Sequence, residues 1–108
     1  MYPTSHELAL IITPAKTVPG IVDECGRKGT RNAIVFSAGF EETNEGKGLA
    51  VELAEAARKH EVTVIGPNCQ GLWSVRDKTL LTYSPAAMNL DRTQHFPIGI
   101  VSQSGALG

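Results

Sequence analysis

The chain has 108 residues, of which 42% are hydrophobic and 19% charged, and its ten Lys and Arg against eleven Asp and Glu leave a formal charge of −1. That balance excludes a dominant basic footprint for nucleic acid and an acidic, solvating tail. The length suits one small domain or one lobe of a larger one, and the longest apolar run, residues 8–12, is far too short to cross a membrane.

Residues 8–12 (LALII) form a continuous apolar run without the alternation of a half-solvated strand. They predict a strand covered on both faces, as in parallel sheets. Val18, Ile21, Val22 and Cys25 then recur at helical spacing, with Pro19 suited to the first turn and Gly29 to the C-terminal stop. A second buried strand follows at residues 33–36 and ends in Ser37-Ala38-Gly39. Residues 41–48 read as a polar loop. Residues 49–60 predict a helix with Leu49, Leu53, Ala56 and Ala57 on one face. A third strand at residues 62–65 runs into Gly66-Pro67-Asn68-Cys69-Gln70-Gly71.

Strands and helices alternating with short connections predict right-handed βαβ units and a parallel sheet. Beyond them, residues 72–75 and 79–83 predict two short strands around a turn at Arg76-Asp77-Lys78. Residues 85–97 read as a linker, broken by proline, asparagine and aspartate, and residues 98–101 start another buried strand. Both ends look cut, because the chain opens close to a buried strand and stops where a helix should begin.

In a parallel sheet the C-terminal strand ends share one rim, and ligands of open α/β sheets bind there. Thr13-Pro14-Ala15, Ser37-Ala38-Gly39 with Phe40, and the segment from Gly66 to Gly71 all fall on it. Each is rich in small residues that let a ligand approach the backbone. Ser102-Gln103-Ser104-Gly105 follows a strand and opens toward a helix, an arrangement suited to phosphate. It lacks the P-loop lysine and is not a nucleophile elbow. Cys25 and Cys69 have no CxxC spacing and read as reduced thiols of a cytoplasmic protein.

In order and spacing, LIITPAK (10–16), IVFSAGF (34–40), IGPNCQG (65–71) and IVSQSGALG (100–108) resemble the alpha-subunit region of the succinyl-CoA synthetase superfamily. The likeness is greatest to its acetate-type, NDP-forming acyl-CoA synthetases, and GPNCxG followed downstream by SQSGALG is the specific part. The resemblance implies a partial Rossmann-like, coenzyme A-binding domain over residues 1–84. It also implies that residues 98–108 start a flavodoxin-like domain. Coenzyme A would lie along the rim, against Thr13, Pro14, Ala15, Phe36, Ser37, Ala38 and Gly39, with Pro67, Asn68 and Cys69 near its reactive end. Ser102, Ser104 and Gly105 would receive the phosphate carried on a catalytic histidine.

The family joins a carboxylic acid to coenzyme A at the expense of ATP or GTP with Mg, through an acyl phosphate and a phosphohistidine. Its glycine-rich first turn would lie before Met1, its phosphorylated histidine beyond Gly108, and its ATP-grasp domain or subunit elsewhere. The chain alone is therefore expected to be inactive. Ala38 stands where succinyl-type members carry a glutamate. His6, His60 and His95 match no catalytic position and read as solvated; Cys69, with no base nearby in sequence, reads as structural, and Trp73 and Tyr83 read as packing residues. A sheet lacking its first strand and last helix is expected to expose apolar edges, and so to form a homo-oligomer, swap elements or be poorly stable on its own. Two other readings are a coenzyme A-sensing domain of a protein acetyltransferase and a NAD-binding Rossmann domain that lacks G-x-G-x-x-G.

Overall fold

The computed structural model describes residues 7–40 and 43–85. They divide into two compact units, with the boundary between Cys69 and Gln70.

The first unit is a parallel sheet with two crossover helices. Its strands are β1 (Leu8–Ile11), β2 (Asn32–Val35) and β3 (Thr63–Ile65), in the order β1-β2-β3. Ala9 pairs with Ala33, and Ala33 with Val64, in one parallel register across the sheet. A 3₁₀ turn (Ala15–Thr17) leads directly into α1 (Val18–Arg27), and α2 (Asn44–Lys59) joins β2 to β3. Pro19 lies in the first turn of α1, and Gly29 takes the left-handed conformation just after its end.

Both steps along the sheet go in the same direction, so two right-handed crossovers place both helices over the same face. Ile11, Ala33 and Val35 from that face form the core with Val18 and Val22 of α1, Leu53 of α2, Val62 and Phe40. The expectation of a strand covered on both faces, made for residues 8–12 and for residues 33–36, holds for β2 and not for β1. On the other face Ile34 is fully buried, yet its register partners Leu10 and Ile65 are 50% and 39% exposed. Ile12 is 72% exposed. A sheet wound in one direction receives helices on one side only.

The second helix begins five residues before the Leu49 start predicted from its apolar face. Thr43 accounts for the difference, because its hydroxyl accepts the Gly46 N–H at 3.0 Å and caps the helix. Gly46 and Gly48 lower the helical propensity of the first turns, which is why this stretch reads as loop. Gly46 has a packing reason, since a Cβ there would lie 2.5 Å from the Gly39 carbonyl oxygen.

At the end of the sheet away from the rim, the helices are tied through Asp23. Its carboxylate accepts from Lys59 Nζ at 2.9 Å and His60 Nε2 at 2.8 Å, and pairs with Arg27 Nε at 3.0 Å. His60, expected to be solvated, is instead largely covered, with its side chain 15% exposed. His6 and His95 lie outside the described residues.

The hydrogen bonds from Lys59 and His60 hold the Asp23 carboxyl at about 2, below its ordinary 3.8. A depressed carboxylate pKa stabilises the fold above the unfolded value and loses that contribution as pH falls through the folded value. The Asp23→Asn variant is accordingly expected to melt below the parent at neutral pH. The gap should close as the pH is lowered from about 4 toward 2, read from paired thermal melts. A gap that stays constant over that range would refute the assignment.

The second unit contains the antiparallel pair β4 (Gly71–Ser74) and β5 (Thr79–Thr82), with Leu72 opposite Leu81 and Trp73 opposite Leu80. Its turn is held by Ser74, whose hydroxyl donates to Asp77 Oδ2 at 2.6 Å and accepts the Asp77 N–H at 3.2 Å. The hairpin falls where the sequence predicts it. Trp73 and Tyr83, expected to be packing residues, are exposed. A two-stranded ribbon has no second layer of its own in which to bury large rings.

Candidate functional site

Three loops leave the C-terminal ends of β1, β2 and β3, and the fold joins them into one rim. The β1–β2 ladder continues one bond past the strands, where Phe36 N–H donates to the Ile11 carbonyl at 3.0 Å. Beyond it the side chain of Ser37 takes over from the backbone. Its Oγ donates to the Thr13 carbonyl at 2.6 Å and accepts the Thr13 N–H at 3.3 Å. The Ser37 carbonyl in turn accepts the Asn68 N–H at 3.0 Å. The Cys69 thiol donates to the Val35 carbonyl at 3.3 Å, which returns the third loop to the central strand.

Gly66 permits that return. Its φ of 97° lies in the left-handed region, and a Cβ would overlap the Val35 carbonyl oxygen. The Gly66–Pro67 peptide is cis. The bond from Cys69 to Val35 agrees with the structural role expected of that cysteine; Cys25 and Cys69 are both free. Burial and the neighbouring Glu24 charge push the Cys25 thiol above its ordinary range, so it stays protonated at neutral pH.

The rim residues named from sequence divide into two kinds. Thr13, Ser37 and Cys69 are half-buried and hold the loops together, while Ala15 packs against the core. Pro14, Ala38 and Asn68 are exposed, and Phe36, Gly39 and Pro67 are half-buried beside them. Ser102, Ser104 and Gly105, together with the expected linker and final strand, lie outside the described residues.

Thr17 is a rim residue that sequence reading passed over. Its Oγ1 donates to the Pro14 carbonyl at 2.8 Å and lies 3.0 Å from Thr13 Oγ1. Because its hydroxyl turns back onto the loop, the start of α1 has no side-chain cap. Its signal is the i to i+4 pair of threonines around Pro14, the local bonding pattern of a hydroxyl turn. Among the described residues of these three loops, Lys16 is the charged side chain, and it is exposed.

A parallel sheet whose three strand-end loops are cross-tied into an exposed rim of small residues, with a cation beside it, is the layout of a cofactor-binding α/β domain. The chain belongs to the CoA binding domain family, which matches residues 2–73. It is 43% identical over 105 residues to an ADP-forming acetate–CoA ligase I of Archaeoglobus fulgidus, covering 96% of this chain and 15% of that protein. It is 37% identical over 107 residues to the alpha subunit of an ADP-forming acetate–CoA ligase I of Pyrococcus furiosus, covering 98% of this chain and 22% of the subunit.

The fold is also that of an apo dinucleotide forming acetyl-coenzyme A synthetase 1 of Ca. Korarchaeum cryptofilum, with a TM-score of 0.59 and 35% identity. That match covers 64% of this chain and 15% of the synthetase. The Rossmann-like reading of the sheet and the acyl-CoA synthetase resemblance both hold. The chain spans about a fifth or less of the length of these relatives. They lend the acetyltransferase-sensor reading no support.

Proposed function

We propose that the rim binds coenzyme A and that the chain is the coenzyme-binding portion of a longer NDP-forming acyl-CoA synthetase. The observation that carries this reading is the bonded rim itself. Thr13, Ser37, Asn68 and Cys69, drawn from three separate loops, are linked at the strand ends where the family's coenzyme site is expected. Thr13, Pro14, Ala15, Phe36, Ser37, Ala38 and Gly39 would line its length, and Pro67, Asn68 and Cys69 its reactive end. Small side chains leave room for the coenzyme to lie along the loops, and Lys16 offers a positive charge to its phosphates.

In this reading the chain binds and orients the thiol substrate and supplies no catalytic base or nucleophile. The carboxylic acid would be activated by ATP or GTP with Mg on an ATP-grasp domain or partner subunit, with a phosphohistidine as carrier. Ser102, Ser104 and Gly105 would receive that phosphate. The exposed apolar face around Leu10, Ile12 and Ile65 supports self-association of the chain on its own.

Isothermal titration of the purified chain with coenzyme A, repeated in the presence of NAD, tests the reading. Saturable binding that NAD does not displace is expected. A folded sample that ignores coenzyme A, or releases it to NAD, would overturn the proposal. Among the described residues no helix is long and apolar enough to span a membrane, and no group of three or more His, Cys, Asp or Glu is placed to hold a metal.

A further inference from the structure

We infer that the Ser37 hydroxyl is the positioning group of the rim, setting the ligand-facing groups of two other loops while its own proton is spent on Thr13 and not on the ligand; the inference rests on the coenzyme A reading above. Ser37 stands just past the last backbone bond between β1 and β2, where the strands would otherwise part. Its hydroxyl exchanges a donor and an acceptor with the two backbone groups of one residue, Thr13, which lies 24 positions away. That is the bonding of a strand residue carried out by a side chain, and it extends the ladder by one step. On its other side the Ser37 carbonyl fixes Asn68, whose φ of 54° turns the third loop back toward the sheet. One residue thus sets the spacing of all three loops.

A hydroxyl has a single proton to give. That of Ser37 goes to the Thr13 carbonyl at 2.6 Å, the shorter of its two bonds, so it has no donor left for a ligand. The groups left facing outward are those it positions. Thr13 Oγ1 lies in an exposed pair with Thr17 Oγ1, held at 3.0 Å, and the Asn68 side chain is exposed. Ser37 therefore acts on binding through the geometry of Thr13 and Asn68.

The test compares the parent chain with Ser37→Ala and Ser37→Thr by titration with coenzyme A and by amide hydrogen exchange read residue by residue. Ser37→Ala should weaken coenzyme A binding about tenfold or more and speed exchange at Thr13, while the cooperative melt survives. Ser37→Thr keeps the hydroxyl and should restore both readouts. Unchanged Thr13 exchange in Ser37→Ala would overturn the inference, as would faster Thr13 exchange with coenzyme A affinity intact. A loss of affinity with the Thr13 amide still protected would make the Ser37 hydroxyl itself a direct ligand contact and overturn it as well. If the parent binds no coenzyme A, the coenzyme reading falls separately. Faster Thr13 exchange in Ser37→Ala would then still support Ser37 as the residue that sets the rim.

Discussion

Replacing Gly66 with alanine is expected to cost the sheet unit much of its stability and to remove the candidate site with it. Two penalties fall on the same residue. At a φ of 97° a side chain is strained by about 1–3 kcal/mol. The new Cβ would also overlap the carbonyl oxygen of Val35 and come within 3.1 Å of Cys69 Sγ. Val35 belongs to the central strand, so it cannot retreat without loosening its pairing to Ile11. Overpacking of this kind costs about another 1–3 kcal/mol. Small domains have a total of about 5–15 kcal/mol, and each kcal/mol moves the melting temperature by roughly 4–8 °C at this size.

A drop of about 10 °C or more in Gly66→Ala is therefore expected by thermal denaturation, together with weaker coenzyme A binding. Gly20→Ala is the matched control. Gly20 lies in the first turns of α1, and a Cβ there meets nothing within 4 Å. Its expected effect is neutral to slightly stabilising. Equal melting temperatures for Gly66→Ala and the parent would contradict the close approach of the third loop to β2.

Phe40→Ala is expected to be similarly damaging for a different reason. Phe40 is 1% exposed and heads the largest fully buried side chains among the described residues. It belongs to the cluster formed by Ile11, Val18, Val22, Val35 and Leu53, where both helices meet the sheet. Truncating a buried phenylalanine leaves a cavity and costs about 3–5 kcal/mol. Phe40 also follows directly on Ser37-Ala38-Gly39, so its ring anchors the far end of the second rim loop. Urea denaturation should show the loss, and Phe40→Leu should recover a large part of it by keeping most of the volume. A change below about 1 kcal/mol in Phe40→Ala would mean that the ring is not the anchor of this core.

The order of elements was legible because it depends on neighbours in the chain. The apolar runs at residues 8–12, 33–36 and 62–65, the helical stripe from Val18 to Cys25, and Pro19 and Gly29 at the helix ends each express a local preference of the backbone. The parallel sheet follows from those elements, since two short crossovers allow little else. The rim was legible for the same reason: small residues that end three parallel strands must gather at one edge. The early start of α2 was missed because Gly46 and Gly48 argue against helix locally, whereas the Thr43 cap and the packing of Gly46 on Gly39 favour it.

By itself, then, the sequence determined the βαβαβ framework, the family, and the three small-residue loops that end the parallel strands. Only the tertiary structure decided which hydroxyl serves the backbone and which faces outward, because Ser37 and Thr13 become partners through the strand register. It likewise decided that one face of the sheet keeps exposed leucine and isoleucine, and that His60 is drawn over Asp23. Periodicity and turn chemistry act over a few residues, and they place elements in order. Hydrogen bonds between residues 24 or 37 positions apart depend on how those elements are stacked, and no local pattern carries that information.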